Sequence, residues 1–264
     1  MPLGHARGVT LTRLEIQMHH FKTTAYGLVL ACSLLTCLAA QAADRSYTLA
    51  ISWQPAFCET KPNKLECQTS TPGRFDATHF TLHGLWPEGS TYCGVSRTNK
   101  TYDTSNRWNK LPDVSLNNPT RTLLNRDMPG TASYLERHEW IKHGTCSGYS
   151  QQDYFSGALS LLNGVHATNL QAAIVKNIGK TTNVDDLYTA AEQDYGSVAN
   201  LSIEFICSNL NSKQYLSEVR YHLNLPVNLP QRIVPANLTD PATPASSNQL
   251  CDGPVYIDVA GVGL

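Results

Sequence analysis

Two histidines, a glutamate and a lysine fall within six residues in the stretch H-E-W-I-K-H-G-T-C, His138 to Cys146. The stretch opens like the zinc-protease pattern H-E-x-x-H, but its second histidine comes one residue late. On a helix, positions four apart share a face, whereas positions five apart diverge by about 140°. His138 and His143 are therefore not expected to grip one metal from a single helix. The same arithmetic sets Glu139 beneath His143 and Lys142 above His138. A solvated helix face would account for Glu139 and Lys142, but not for two imidazoles beside them and an interleaved Trp140.

A third histidine lies in F-T-L-H-G-L-W-P-E, Phe80 to Glu88. On an alternating strand His83 lies opposite Phe80 and Leu82, and Gly84 then permits a turn, so the imidazole would project from a strand end. Alone, such a histidine is an ordinary surface residue. Together the segments supply an acid and a base, since imidazoles titrate near pH 6.5 and one can be neutral while another is charged. That pairing suits phosphodiester cleavage. One imidazole takes the proton of a ribose 2′-hydroxyl, the alkoxide attacks phosphorus, and the other protonates the departing 5′-oxygen. A lysine supplies fixed positive charge without a metal. Glu139 could orient His143 and raise its basicity, or hydrogen-bond to a phosphoryl oxygen if protonated; both readings stay open.

The elements that must hold these groups follow from periodicity. Alternation predicts strands at Tyr47–Trp53, His79–His83, Leu201–Cys207, Tyr215–Leu223 and Val255–Val259. Helical patterns cover Tyr134–His143, Asp153–Asn163, Leu170–Asn177 and Val184–Tyr195, the last capped by Asn183 or Asp185. The polar region Cys93 to Pro129 reads as long loops with at most short helices. Strands and helices do not alternate strictly, which favours an α+β fold with an antiparallel central sheet and helices packed around it. No repeat or low-complexity block divides residues 43–264, so a single domain is expected there.

Basic residues up to Lys22, an apolar run of about 16 residues from Ala25 to Ala40 and the triplet Ala40-Gln41-Ala42 read as a secretory signal peptide over residues 1–42, with Met18 a possible start. The run is short for a membrane anchor, so no membrane association is expected once it is removed. Removing it leaves 17 basic and 20 acidic residues, a net charge of −3. That excludes a broad basic face, so contacts to a phosphate polymer must be few and local. Six cysteines remain: Cys58, Cys67, Cys93, Cys146, Cys207 and Cys251. They allow fifteen pairings into three disulfides, and none forms C-x-x-C. Closeness in sequence favours Cys58 with Cys67.

The two histidine segments, in this order and about 55 residues apart, resemble the active-site segments of the ribonuclease T2 family. The likeness extends from Tyr47-Thr-Leu-Ala-Ile-Ser-Trp53 to the last cysteine. Met128-Pro-Gly-Thr-Ala-Ser-Tyr-Leu-Glu-Arg137 and the leader resemble the bacterial periplasmic members. The resemblance implies a disulfide-stabilised α+β fold and a secreted or periplasmic endoribonuclease that leaves DNA intact, needs no cofactor or metal, and acts as a monomer on RNA with low base specificity. It makes His83 the general acid and His143 the general base. Glu139 and Lys142 would stabilise the pentacovalent transition state, and His138 and Trp86 would hold the phosphate. Trp86, Glu88 and Tyr92 become candidates for stacking on a base or accepting an exocyclic amino proton. It also implies the pairs Cys93–Cys146 and Cys207–Cys251. The rival readings are a silent secreted RNA-binding or inhibitory module of the same fold, and a metal-dependent hydrolase.

Overall fold

The computed structural model describes residues 45–261; the expected signal peptide and Cys32 and Cys37 lie outside them. Among the described residues six strands form one sheet: β1 (Arg45–Ser52), β2 (Thr81–Pro87), β3 (Thr181–Asn183), β4 (Ile203–Leu210), β5 (Lys213–Leu225) and β6 (Pro254–Tyr256). Their order is β2-β1-β5-β6-β3, with β4 on the other edge of β5. Pairing is antiparallel except for one parallel contact between β5 and β6 at Tyr215 and Tyr256. β1 is paired on both sides, and its apolar residues Tyr47, Leu49 and Ile51 are fully buried. Each large side chain sequestered in this way contributes about 1.5–3 kcal/mol.

Nine helices surround the sheet among the described residues: α1 (Gln54–Thr60), α2 (Leu65–Gln68), α3 (Arg97–Thr104), α4 (Asn118–Asp127), α5 (Leu135–Lys142), α6 (Gln151–Val165), α7 (Asn169–Asn177), α8 (Val184–Tyr195) and α9 (Ala199–Ser202). α6 lies against β2, where Tyr154 Oη donates to the Leu85 carbonyl at 2.8 Å. Asn183 rather than Asp185 caps α8, in a capping box with Asp186. The region expected to be mostly loop holds α3 and α4, of 8 and 10 residues, each opened by a side-chain cap from Ser96 or Asn117. All three disulfides pair as expected: Cys58–Cys67, Cys93–Cys146 and Cys207–Cys251. Among the described residues no helix is long and apolar enough to cross a membrane.

β2 departs from expectation in a way that shapes the site. The chain does not turn at Gly84 but runs on to Pro87. Ala50 pairs with Gly84 and Ile51 with Leu82, so His83 is the extra residue of a β-bulge. The bulge resets the alternation: Leu82 and Leu85 are both buried, whereas His83 and Trp86 are both partly exposed. One inserted residue thus brings an imidazole and an indole three positions apart to the same cleft.

Candidate active site

Gly84 allows the bulge to meet α5. A Cβ there would collide with the Glu139 carboxylate and stand 2.5 Å from Trp86 Nε1, so the residue is glycine for close approach, not for an unusual φ. Glu139, 1% exposed, accepts from Trp86 Nε1 at 2.8 Å through Oε2. Its Oε1 has no hydrogen-bond partner and lies 3.7 Å from Nε2 of both His83 and His138. The helical wheel placed this carboxylate under His143. Instead its oxygens meet Trp86, His83 and His138; α5 ends at Lys142, and His143 is its C-cap, with φ −115°. The orienting of His143 by Glu139 is therefore not what this arrangement offers. The two histidines of this segment also converge, with ring centroids 6.4 Å apart.

Trp86 sits between the remaining two imidazoles. It is edge-on to His83 at 5.1 Å and stacked on His143 at 5.3 Å. The environments of these histidines are opposed. Burial works against a charged His83, but the Glu218 carboxylate, 2.5 Å from its Nδ1, outweighs burial with help from Glu139, so its pKa is raised. His143 is 7% exposed with Nδ1 unpartnered, and burial followed by the positive field of Lys142, His138 and His83 pushes its pKa down. Burial raises the Glu139 carboxyl pKa, and His83 and His138 temper the rise. Lys142, half-buried, bears on both His143 and Glu139 through its charge.

His138 is fixed on two sides. Its Nδ1 lies 2.7 Å from Asp103 Oδ1 and its ring stacks on Trp108 at 4.5 Å. Tyr92 shares that aspartate, donating to Oδ2 at 2.8 Å, while its backbone N–H donates to the Lys142 carbonyl at 2.8 Å. The Cys93–Cys146 bridge follows, with Cα atoms 5.0 Å apart, so the loop after the first motif is clamped to the end of the second.

Two cavities flank the centre and share Arg220. One, of about 590 Å³, is lined by His83 and Glu218; the other, of about 420 Å³, by Trp86, Glu88 and His143. Glu88 is bonded to Thr48 Oγ1 and backed by His222, whose Nε2 lies 2.9 Å from Glu204. Tyr92 spends its hydroxyl on Asp103, which helps clamp the loop after the first motif.

Sequence reasoning passed over Glu218, Arg220 and Asp103. The first two had a signal: Glu218, Arg220 and His222 alternate with the apolar Val219, Tyr221 and Leu223 and so share a face. Across β1 they meet only small side chains, Ser52, Ala50 and Thr48. Among the described residues no three His, Cys, Asp or Glu side chains gather as a metal-binding group.

Ribonuclease I of Escherichia coli (strain K12) is 28% identical over 197 residues, covering 66% of this chain and 73% of that protein. Extracellular ribonuclease LE of Solanum lycopersicum is 31% identical over 150 residues, and a ribonuclease of Aeromonas hydrophila 32% over 117. These matches cover 54% and 44% of this chain, and 62% and 43% of those proteins, less than two thirds of their lengths. The self-incompatibility-associated SF11-RNase of Nicotiana alata shares the fold with a TM-score of 0.54 at 18% identity, over 81% of this chain and 99% of that one. Japanese pear S3-RNase does so with a TM-score of 0.51 at 15% identity, over 80% and 98%. The Ribonuclease T2 family model matches residues 44–231, a span that contains both histidine segments and Glu218: the chain belongs to the ribonuclease T2 family of enzymes.

Proposed function

We propose that the protein is an endoribonuclease that cleaves single-stranded RNA by metal-independent transphosphorylation. The observation that carries this reading is the opposed environment of the two histidines on either side of Trp86. A concerted step needs a neutral base and a protonated acid at one pH, and burial keeps His143 neutral while Glu218 keeps His83 charged. His143 takes the 2′-hydroxyl proton, the 2′-oxygen bonds to phosphorus, and the bond to the 5′-oxygen breaks as His83 protonates it. The product is a 2′,3′-cyclic phosphate, which water then opens to a 3′-phosphate. Lys142 and Glu139 face the phosphoryl oxygens, the former as fixed charge and the latter through its buried carboxyl. His138, held by Asp103, and Trp86 grip the phosphate. Glu88 presents a carboxylate to the base of the nucleotide bearing the attacking hydroxyl, and the Trp86 indole in the same cavity supports weak base preference, since stacking tolerates every base. A leader of signal-peptide type and three disulfides support export to the periplasm or the medium of a bacterial cell.

The mature protein should degrade RNA with or without EDTA and leave DNA and 2′-O-methyl RNA intact, since neither offers a 2′ nucleophile. His83→Ala and His143→Ala should each lose a factor on the order of a hundred or more. A substrate whose leaving group needs no proton should rescue the first and not the second. Equal rescue would overturn the division of roles, and 5′-phosphate products would overturn the mechanism. Binding of RNA without cleavage would favour a silent RNA-binding module of the same fold.

A further inference from the structure

The larger cavity does not end at the catalytic centre. It runs from His83, Glu218 and Arg220 to Trp108, Lys61 and Lys64, a volume of about 590 Å³ within the range of about 300–1,000 Å³ that receives a compact ligand. Both lysines belong to the loop between α1 and α2, which the Cys58–Cys67 bridge closes at a separation of 9 residues. Lys64 is further placed by stacking: its ammonium lies 5.1 Å over the Trp108 indole, which itself stacks on His138 at 4.5 Å. Neither lysine has a carboxylate within 4.0 Å among the described residues. The carboxylates in the cavity wall are already engaged. Glu218 is bound by His83 and Arg220, and Glu66 accepts from Ser133 Oγ at 2.5 Å. An unneutralised positive rim therefore ends a groove that begins at the general acid.

Resting on the ribonuclease reading, we propose that Lys61 and Lys64 form a subsite for the next phosphate downstream of the scissile bond, the one on the 3′ side of the departing nucleoside. The polarity follows from the chemistry. His83 protonates the 5′-oxygen of the departing nucleoside, so that nucleoside occupies the cavity His83 lines, and the chain leaving it through its 3′-oxygen heads for the far end. A preplaced ammonium pair there suits a phosphodiester or terminal phosphate. It reconciles a net negative protein with a polyanionic substrate, because the positive charge is concentrated along the path of one strand.

The test measures binding, so that it does not depend on turnover. The probes are three non-cleavable 2′-deoxy diadenosine dinucleotides: unextended, with a 3′-terminal phosphate, and with a 5′-terminal phosphate. Calorimetric Kd values are compared for the mature protein and the double variant Lys61→Gln/Lys64→Gln, with Tm recorded for both. The 3′-phosphate should tighten binding to the mature protein at least about fivefold, the scale of a charge-assisted hydrogen bond. In the double variant that ratio should fall close to one, while the effect of the 5′-phosphate stays the same in both proteins. The slope of log Kd against log salt for the 3′-extended probe should also drop by about 0.7, because one phosphate is no longer neutralised. Absence of tightening in the mature protein, or its survival in the double variant, overturns the proposal. So does equal loss of the 3′ and 5′ effects, which marks a diffuse field instead of a site. Failure of the mature protein to cleave RNA would count against the ribonuclease reading alone, because the binding ratios are read without cleavage.

Discussion

Glu218 Oε2 lies 2.5 Å from Nδ1 of His83, joining the centre of the sheet to the bulge of β2. A carboxylate at Nδ1 fixes which ring nitrogen it holds, directs Nε2 into the cleft, and favours the charged ring. Burial opposes the charge on Glu218, but His83 first, and then Arg220, 2.7 Å from the other carboxylate oxygen, hold its pKa below the usual carboxylate range.

Glu218→Gln should therefore lower kcat by on the order of tenfold to a hundredfold through misorientation of the acid. It should also reshape the pH profile. Glu218 raises the His83 pKa, so its removal lowers that pKa, and protonated acid runs out at lower pH. The alkaline limb of the profile should move toward acid, while the acidic limb, set by His143, stays in place. A uniform loss at every pH would mean that Glu218 is only structural.

Gly84→Ala should nearly abolish activity although glycine has no side chain to contribute. The new methyl group would occupy the space of the Glu139 carboxylate and crowd Trp86 Nε1. Displacing these groups by about an ångström carries a loss on the order of a hundredfold, with an overpacking cost of about 1–3 kcal/mol in stability. Wild-type turnover from a folded Gly84→Ala protein would contradict the close approach described for this cleft.

Asp258 gives a stability prediction away from the site. It is 5% exposed, its Oδ2 has no hydrogen-bond partner, and burial reinforced by Glu59 raises its pKa to about 6. The folded value exceeds the unfolded one of about 3.9, so the folded state binds the proton more tightly. The resulting stabilisation is complete below the unfolded pKa and is lost as pH rises through about 6. Asp258→Asn should raise Tm at pH 8 by roughly 2–4 °C, the effect of about 1 kcal/mol in a chain of this size, and change little at pH 4. Thermal scans at the two pH values check this, and an equal shift at both would sink the argument.

What the sequence disclosed here was local. Residue types and spacing placed His138, Glu139 and Lys142 on one short helix with His143 at its end, and alternation found β1, β4 and β5. What it hid depended on partners. The bulge at His83 is a property of register between two strands, so a one-strand reading put a turn at Gly84. Extending an ideal helix through His143 misassigned the neighbours of Glu139; the helix ends one residue earlier. α3 and α4 bury few apolar residues, so a period-based reading expected long loops with at most short helices and did not place the two, although Ser96 and Asn117 were available as caps. Tyr92 adopts a left-handed backbone, φ 58°, and donates its hydroxyl to Asp103, a partner that no local pattern announces.

The sheet also imposes an order in time. His83 and Glu218 are 135 residues apart, and β5, which carries Glu218 and Arg220, is the strand on which β1 and β4 both pair. At about 5–20 residues per second, a ribosome that has made His83 needs roughly ten seconds to make its partner. Until then the nascent chain exposes its imidazoles without the strand that charges and aims one of them. The late arrival of β5 therefore postpones the assembled centre well beyond the synthesis of β1 and β2.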